Sequence, residues 1–268
     1  MDLSVIILTF NTKDITLSCL KSVDKYFPKV RTEVIVVDNA SIDKTAELIK
    51  NTKFVNFSPY VIINDKNLGF AKGNNVAIKA SRGKHVLLLN SDTLVTANAI
   101  DNLYENATEL INAGVLGARL LNSDGSVQAS VFRLPTVMKT IKQFIFGNHG
   151  ILDKYAPEED RVIEVEALVG AVFLITRKAI SKVGLFDERY FMYFEDLDYC
   201  RKVQSSGLKV YYVPKSRIVH LHGMSGTRST DNNQWKRLIP SSKIYHGLLK
   251  YYIIFLITWL GQKILKQK

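Results

Sequence analysis

A chain of 268 residues, 47% hydrophobic and 23% charged, is long enough to bury a full core and has the composition of an ordinary globular protein. Its two cysteines, Cys19 and Cys200, are far apart and lack metal-ligand spacing, which excludes a disulfide framework and a zinc cluster. The net charge of +11 lies almost wholly in residues 201–268, where 13 Lys and Arg face only Asp231, so a polyanionic partner is expected: a nucleic acid, an anionic membrane surface or a diphosphate-bearing substrate.

The first 120 residues alternate strand-like and helix-like segments. Ser4 to Thr9 precedes a helix over Ile15 to Lys25, and Glu33 to Val37 precedes one over Lys44 to Lys50. Tyr60 to Ile63 precedes Ala71 to Ala80, and His85 to Leu89 precedes Ala97 to Ala113. This is a βαβ series. Its strands are continuous apolar runs, the pattern of parallel strands covered on both faces, so an α/β fold with a doubly wound, mostly parallel sheet is expected. After Val115 to Leu121, Asn122 to Gly125 reads as a turn inside a hairpin. Residues 135–161 lack a clear period, contain Pro135, Gly147, Gly150 and Pro157, and read as a loop-rich insertion. Ala171 to Thr176 reads as a strand, Asp196 to Ser206 as a helix, and Val210 to Val213 with Ile218 to Leu221 as two short strands.

The tail carries an apolar run from Tyr251 to Leu260, flanked by Lys250, Lys263, Lys266 and Lys268. Spanning a bilayer takes about 20 apolar residues, so this run is too short. With Tyr251, Tyr252 and Trp259 it suits a helix lying in a membrane interface, or one packed on the domain or in an oligomer contact. Leu3 to Leu8 is too short for a signal core and follows no basic region, so a reducing, cytoplasmic setting is expected.

Three acidic signatures stand where apolar strands run out: VIVVDNAS at Val34 to Ser41, VLLLNSD at Val86 to Asp92, and YFEDLD at Tyr193 to Asp198. In an open α/β sheet ligands bind beyond the carboxyl ends of the strands, so Asp38 and Asp92 should face one small molecule, with Asp196 arriving from a separate element. Asp38, Asn39 and Ser41 also suit a turn and a cap on the helix near Lys44. The stretch NLGFAKGNN, with Asn67, Gly69, Gly73, Asn74 and Asn75, is a polar, glycine-rich start to a helix, where backbone amides favour phosphate. Lys66 and Lys72 either add charge there or are solvated surface lysines. At Asp196 a helix N-cap competes with a catalytic role.

In this order, and with the opening SVIILTFN, these motifs resemble family-2 inverting glycosyltransferases of the GT-A fold, more narrowly their rhamnosyltransferase-like members, from about Ser4 to about Arg228. The resemblance implies that Asp38 binds a uracil or thymine ring or a ribose hydroxyl, that Thr9 and Asn11 flank the base, and that the segment from Asn67 to Asn75 closes over the nucleotide. Asn90, Ser91 and Asp92 stand at the Asp-x-Asp metal motif with Asn in first place, which leaves one carboxylate, helped by substrate phosphates, for Mn²⁺ or Mg²⁺. His220 in HLHGMS matches a histidine that joins the metal or diphosphate, with His222 as the alternative, and Ser225 and Arg228 would hold the diphosphate. Glu195 and Asp196 match a Glu-Asp pair in which the aspartate is the base; Glu195 then positions the acceptor or the loop, and Asp198 faces elsewhere. Gly170, Ala171 and Gly184 to Asp187 resemble an acceptor-side stretch, although packing explains such small residues as well.

The implied organisation is a domain over residues 1–230, nucleotide-sugar-binding to about 120 and acceptor-side beyond, followed by a basic, partly apolar helical tail over 231–268. The implied activity is metal-dependent inverting transfer of a hexose, with rhamnose favoured, from a dTDP- or UDP-linked donor. The acceptor would be a lipid-linked saccharide in surface polysaccharide assembly at the inner face of the plasma membrane, with an anionic membrane surface as a partner of the tail. Two alternatives stay open: an inactive relative that binds nucleotide sugars, and a basic nucleic-acid-binding protein. The second rests on C-terminal charge alone, so no nucleic-acid partner is expected.

Overall fold

The computed structural model describes residues 1–221 and 234–265. His222, Ser225, Arg228, Lys266 and Lys268 lie outside the described residues. In chain order the elements begin with β1 (Leu3–Thr9), α1 (Lys13–Lys25), β2 (Thr32–Asp38), α2 (Thr45–Asn51), β3 (Tyr60–Ile63), α3 (Gly69–Ala80) and β4 (His85–Asn90). The middle comprises β5 (Thr93–Val95), α4 (Ala99–Glu109), β6 (Ala113–Leu121), β7 (Val131–Phe132), α5 (Val137–Phe144), β8 (Ile163–Glu164), β9 (Ala167–Leu168) and β10 (Val172–Thr176). Then come α6 (Arg177–Val183), α7 (Glu195–Ser205), β11 (Lys209–His220), α8 (Trp235–His246) and α9 (Leu248–Leu265).

The main sheet runs β3-β2-β1-β4-β10-β6-β11-β5, with β8 on the side of β11. β1 to β4 are mutually parallel, β6 and β11 are parallel to each other, and β10 and β5 run antiparallel to their neighbours. Successive strand residues go to opposite faces, and both faces are apolar. Ile6, Leu88 and Phe173 pack under α3, α6 and α7, while Val5, Leu87 and Leu174 pack under α1, α2 and α4. Each such buried side chain contributes about 1.5–3 kcal/mol relative to exposure, so double coverage fixes the parallel, GT-A-like sheet. The chain moves outward from β1 to β3 and then returns to β4 on the other side of β1. The resulting switch point between β1 and β4 is where such sheets open a crevice.

The sequence reading needs four corrections. The two segments read as Val210 to Val213 and Ile218 to Leu221 form, up to His220, one strand, β11, whose register shifts between Val213 and Arg217. Pro214 falls in that shift and has no N–H for the ladder, so an irregularity there keeps the pairing on either side. The helix expected over Ala97 to Ala113 stops at Glu109, because Ala113 already opens β6. Residues 135–161 hold α5, begun by Thr136, whose side chain accepts from Lys139 N–H. The run from Tyr251 to Leu260 is part of the longer α9, preceded by α8, and the two meet at 119° across Gly247 (φ +73°). No single helix among the described residues is long and apolar enough to cross a membrane. The hairpin turn at Asn122 forms as read, with Asn122 N–H donating to Ser126 O at 2.8 Å.

Candidate active site

Parallel register brings the strand-end motifs to one level. Thr9 pairs with Asp38, Leu8 pairs with Asn90, and Asn39 N–H donates to Thr9 O at 2.9 Å. The Thr9 hydroxyl is buried with those of Thr12 and Thr16, at 3.0 and 2.8 Å, and Thr12 reaches Ser91 at 3.3 Å. Asn11 adopts φ +54°; its N–H donates to Ser41 Oγ at 2.9 Å and its Oδ1 accepts from Ile42 N–H at 2.8 Å. Asp38 is 1% exposed and accepts from Ser41 N–H at 2.7 Å. Asp38 therefore forms the turn, whereas the start of α2 is held by Asp43, which accepts from Thr45 N–H at 3.1 Å.

The glycine-rich segment serves close packing. Gly69 is left-handed at φ +78°, and a Cβ there would lie 2.3 Å from Phe191 O; a Cβ on Gly73 would lie 2.7 Å from the Leu8 side chain. α3 thereby docks on β1 and on the segment before Glu195. One of its leading amides, Phe70 N–H, is already taken by Phe191 O at 2.7 Å. Asn67 Oδ1 accepts from Gly69 N–H at 2.9 Å, and Asn39 Nδ2 donates to Gly69 O at 3.2 Å. Asn74 and Asn75 are buried and bonded to Phe70 O and Phe186 O, both at 2.9 Å. Lys72 pairs with Glu188 at 3.6 Å, and Lys66 is exposed.

Beyond β4, Asp92 is buried and faces His220: Nε2 lies 3.4 Å from Oδ1. Gln128 fixes the ring. Its Nε2 donates to Asn122 Oδ1 at 2.8 Å and His220 O at 3.2 Å, so its Oε1 is the acceptor 2.7 Å from His220 Nδ1. Nδ1 thus carries the proton, and in the neutral ring Nε2 turns its lone pair toward the carboxylate. Imidazole nitrogen with carboxylate oxygen is a donor set that suits Mn²⁺, and Mg²⁺ is served by the oxygen. No cluster of three metal-ligating side chains occurs among the described residues.

The third signature enters from α7. Tyr193 and Phe194 are both left-handed, at φ +72° and +68°, a conformation that costs bulky residues about 1–3 kcal/mol each. Tertiary contacts hold them: Phe194 packs at a tilt against Tyr245 with ring centroids 5.2 Å apart, and Ser241 Oγ donates to Met192 O at 2.8 Å. The N-cap of α7 is Phe194, so the capping role considered for Asp196 does not apply. Instead Asp196 accepts from Gly170 N–H at 3.0 Å and Leu197 N–H at 2.8 Å. Ala171, next in the chain, accepts from Asn90 N–H at 2.9 Å, which sets Asp196 beside the end of β4. Gly170 is small because a Cβ there would sit 3.3 Å from the Phe70 ring.

Burial, together with the charge of Asp196, pushes the Glu195 carboxyl well above its ordinary range, and Glu195 Oε2 has no hydrogen-bond partner among the described residues. Burial also raises Asp196, opposed by its two amide donors. Burial thus favours the protonated form most strongly at Glu195, which is 6% exposed, while Asp196 is only partly buried and is held by its two amide donors. Asp198 faces away, bound to Arg201 at 2.5 Å and Lys202 at 2.7 Å. In the stretch from Gly184, Arg189 holds Asp187 down to about 2.

Residues 4–163 match the profile described as glycosyl transferase family 2. The chain belongs to glycosyl transferase family 2. It is 29% identical over 212 residues to the N-acetylglucosaminyl-diphospho-decaprenol L-rhamnosyltransferase of Mycobacterium tuberculosis, over 70% of this chain and 66% of the relative, slightly less than two thirds of that protein's length. Among solved structures, GalNAc-T7 with UDP, GalNAc and Mn²⁺ aligns with a TM-score of 0.63 at 19% identity, over 82% of this chain and 44% of that one. The mannosyltransferase PcManGT from Pyrobaculum calidifontis, with GDP-Man and Mn²⁺, aligns with a TM-score of 0.60 at 17% identity, over 96% and 69% of the two chains. Both share the GT-A-like fold of this family-2 chain.

Sequence reasoning missed three parts of the site. Gln128 lies 92 positions from His220 and matches no motif. Thr12, which links the β1 end to Ser91, follows TFN without a signature of its own. The left-handed pair Tyr193 and Phe194 has neither glycine nor asparagine to announce it.

Proposed function

We propose that this family-2 chain transfers a hexose, with rhamnose favoured, from a UDP- or dTDP-linked donor to a saccharide on a lipid diphosphate, with inversion and with help from Mn²⁺ or Mg²⁺. The observation that carries the reading is the placement of Asp196, partly exposed and aimed by two backbone amides, beside the end of the strand that leads to Asp92. The mycobacterial relative's name supplies the favoured sugar and the lipid-linked acceptor.

The nucleotide would occupy the crevice beyond β1, β2 and β4, bounded by Thr9, Asn11, Asp38, Ser91 and the start of α3, with backbone groups making the contacts that the buried side chains cannot. Asp92 and His220 would hold the divalent cation, whose charge offsets that of the departing nucleoside diphosphate. Gly170 and Leu197 amides aim the Asp196 carboxylate, which takes the acceptor hydroxyl proton as the acceptor oxygen bonds to the anomeric carbon. The bond to the diphosphate oxygen breaks in the same displacement, inverting the centre. Glu195 keeps its proton and so does not compete for the acceptor's. The chain would work at the inner face of the plasma membrane.

A screen of UDP- and dTDP-sugars with Mn²⁺ and a lipid-linked saccharide, read by NMR of the new anomeric proton, tests this. Inverted product from at least one donor is expected. A retained configuration would overturn the mechanism, and no product from any nucleotide sugar would overturn the activity.

A further inference from the structure

One large surface takes no part in the proposed reaction. Along its outer side α9 exposes Leu249, Tyr252, Phe255, Leu256, Trp259 and Leu260, residues spaced to share one broad helix face. Its inner side docks on α5 through Gly261, where a Cβ would meet Phe144 O at 2.5 Å. α5 and the turn after it add Met138, Ile145 and Phe146, the last 71% exposed, and α8 adds Trp235 and Leu238. Soluble proteins seldom leave so large an apolar face open unless something covers it.

Charge says what does. The three helices carry Lys142, Lys236, Lys243, Lys250 and Lys263, among other bases, and no carboxylate, while Lys139 is paired with Glu166 at 2.5 Å. Several are set among aromatic rings: Lys263 Nζ lies 3.8 Å from the Trp259 ring centroid, and Lys243 Nζ lies 5.3 Å from that of Tyr251. Lysine is depleted in the cores of protein interfaces. Apolar side chains with interfacial Trp and Tyr and unopposed cations are the composition that anionic lipid headgroups and the acyl boundary accept together. The 119° bend at Gly247 gives two short arms suited to lying in the plane of a membrane.

We infer that α5, α8 and α9 form a single docking surface for an anionic lipid bilayer, lying in its interface. Residues 135–161, read from sequence as a loop, contribute one of the three helices. α8 also connects this face to the catalytic loop, through Ser241 on Met192 O and through Arg237, 5.4 Å from the Phe191 ring centroid. A lipid-linked acceptor would thus approach the carboxylates from the docked side, a consequence that rests on the proposed transfer.

The test is co-sedimentation of the full chain with vesicles of phosphatidylglycerol and phosphatidylcholine, against phosphatidylcholine alone. Binding to the anionic vesicles is expected, stronger by about fivefold for each basic residue near the surface and weakened by salt. Phe255→Glu with Trp259→Glu should lower the partition by about 100-fold, while Phe255→Leu with Trp259→Phe retains most of it. Both sites are exposed, so an unchanged melting temperature certifies the fold. Failure of the wild-type chain to bind, or equal binding to both vesicle types, would overturn the inference. A dimer that the glutamate variant dissolves, without vesicle binding, would assign the face to a second copy and also overturn it. The assay needs no donor, metal or acceptor, so its failure is distinguishable from failure of the glycosyl-transfer reading.

Discussion

Asp196→Asn separates chemistry from structure because the two costs come from different atoms. The carboxylate accepts two amide protons, from Gly170 and Leu197. An asparagine side chain has one oxygen, so one of these N–H groups must face the new NH₂, and an unmade buried hydrogen bond costs about 1–3 kcal/mol. For a chain of this size each kcal/mol lowers the melting temperature by roughly 2–4 °C. Stability should therefore fall by several degrees, more than a simple exchange of helix caps would bring. Loss of the proton acceptor costs more: about 10² to 10⁴ in transfer, equivalent to about 3–5 kcal/mol in the barrier. Turnover at saturating donor, measured well below the melting temperature, reads the second term, and thermal unfolding by circular dichroism reads the first. Glu195→Gln replaces a group that already holds its proton, and should keep turnover within about tenfold of wild type. An Asp196→Asn enzyme with turnover equal to wild type would refute the assignment.

Gln128→Ala removes the acceptor that sets the His220 tautomer, so metal activation should need about 10–100-fold more Mn²⁺ while the maximal rate stays closer to wild type; an unchanged Mn²⁺ titration would dismiss the role. Gly69→Ala combines a left-handed backbone with a Cβ 2.3 Å from Phe191 O, and should cost about 2–4 kcal/mol in urea unfolding. His85, 5% exposed, is pushed down to about 4 by burial and then by Lys84 and Arg177. Folded, it stays neutral while the unfolded chain takes up a proton, so its contribution is full above pH about 6.5 and is lost as pH falls toward about 4. The loss is about 3 kcal/mol at most. His85→Phe should flatten that part of the stability profile, and an unaltered slope would contradict the argument.

What the sequence made legible follows from burial. β1, β2 and β4 are covered on both faces, so Val5 to Ile7, Val34 to Val37 and Val86 to Leu89 are unbroken apolar runs, and their acidic ends mark the crevice. α5 escaped because two turns of helix with Met138 exposed carry too little period to read. The single strand β11 was split by its shift around Pro214. Within the site, residue type was visible and depth was not: nothing in VIVVDNAS says that Asp38 lies 1% exposed with its oxygen already on Ser41. Gln128 with His220, and Phe194 with Tyr245, meet only through tertiary packing, which no local spacing encodes.

The central claim is transfer from a nucleotide sugar at a site completed by Asp92. Its most direct test is sugar release from UDP- and dTDP-hexoses by the full chain, with Mn²⁺ and then with excess chelator, in wild type and in Asp92→Asn. Turnover in the wild type with Mn²⁺, lost in chelator and lowered at least about 100-fold in the variant, is the predicted result. Equal turnover in chelator, or an Asp92→Asn protein as active as wild type, would contradict it.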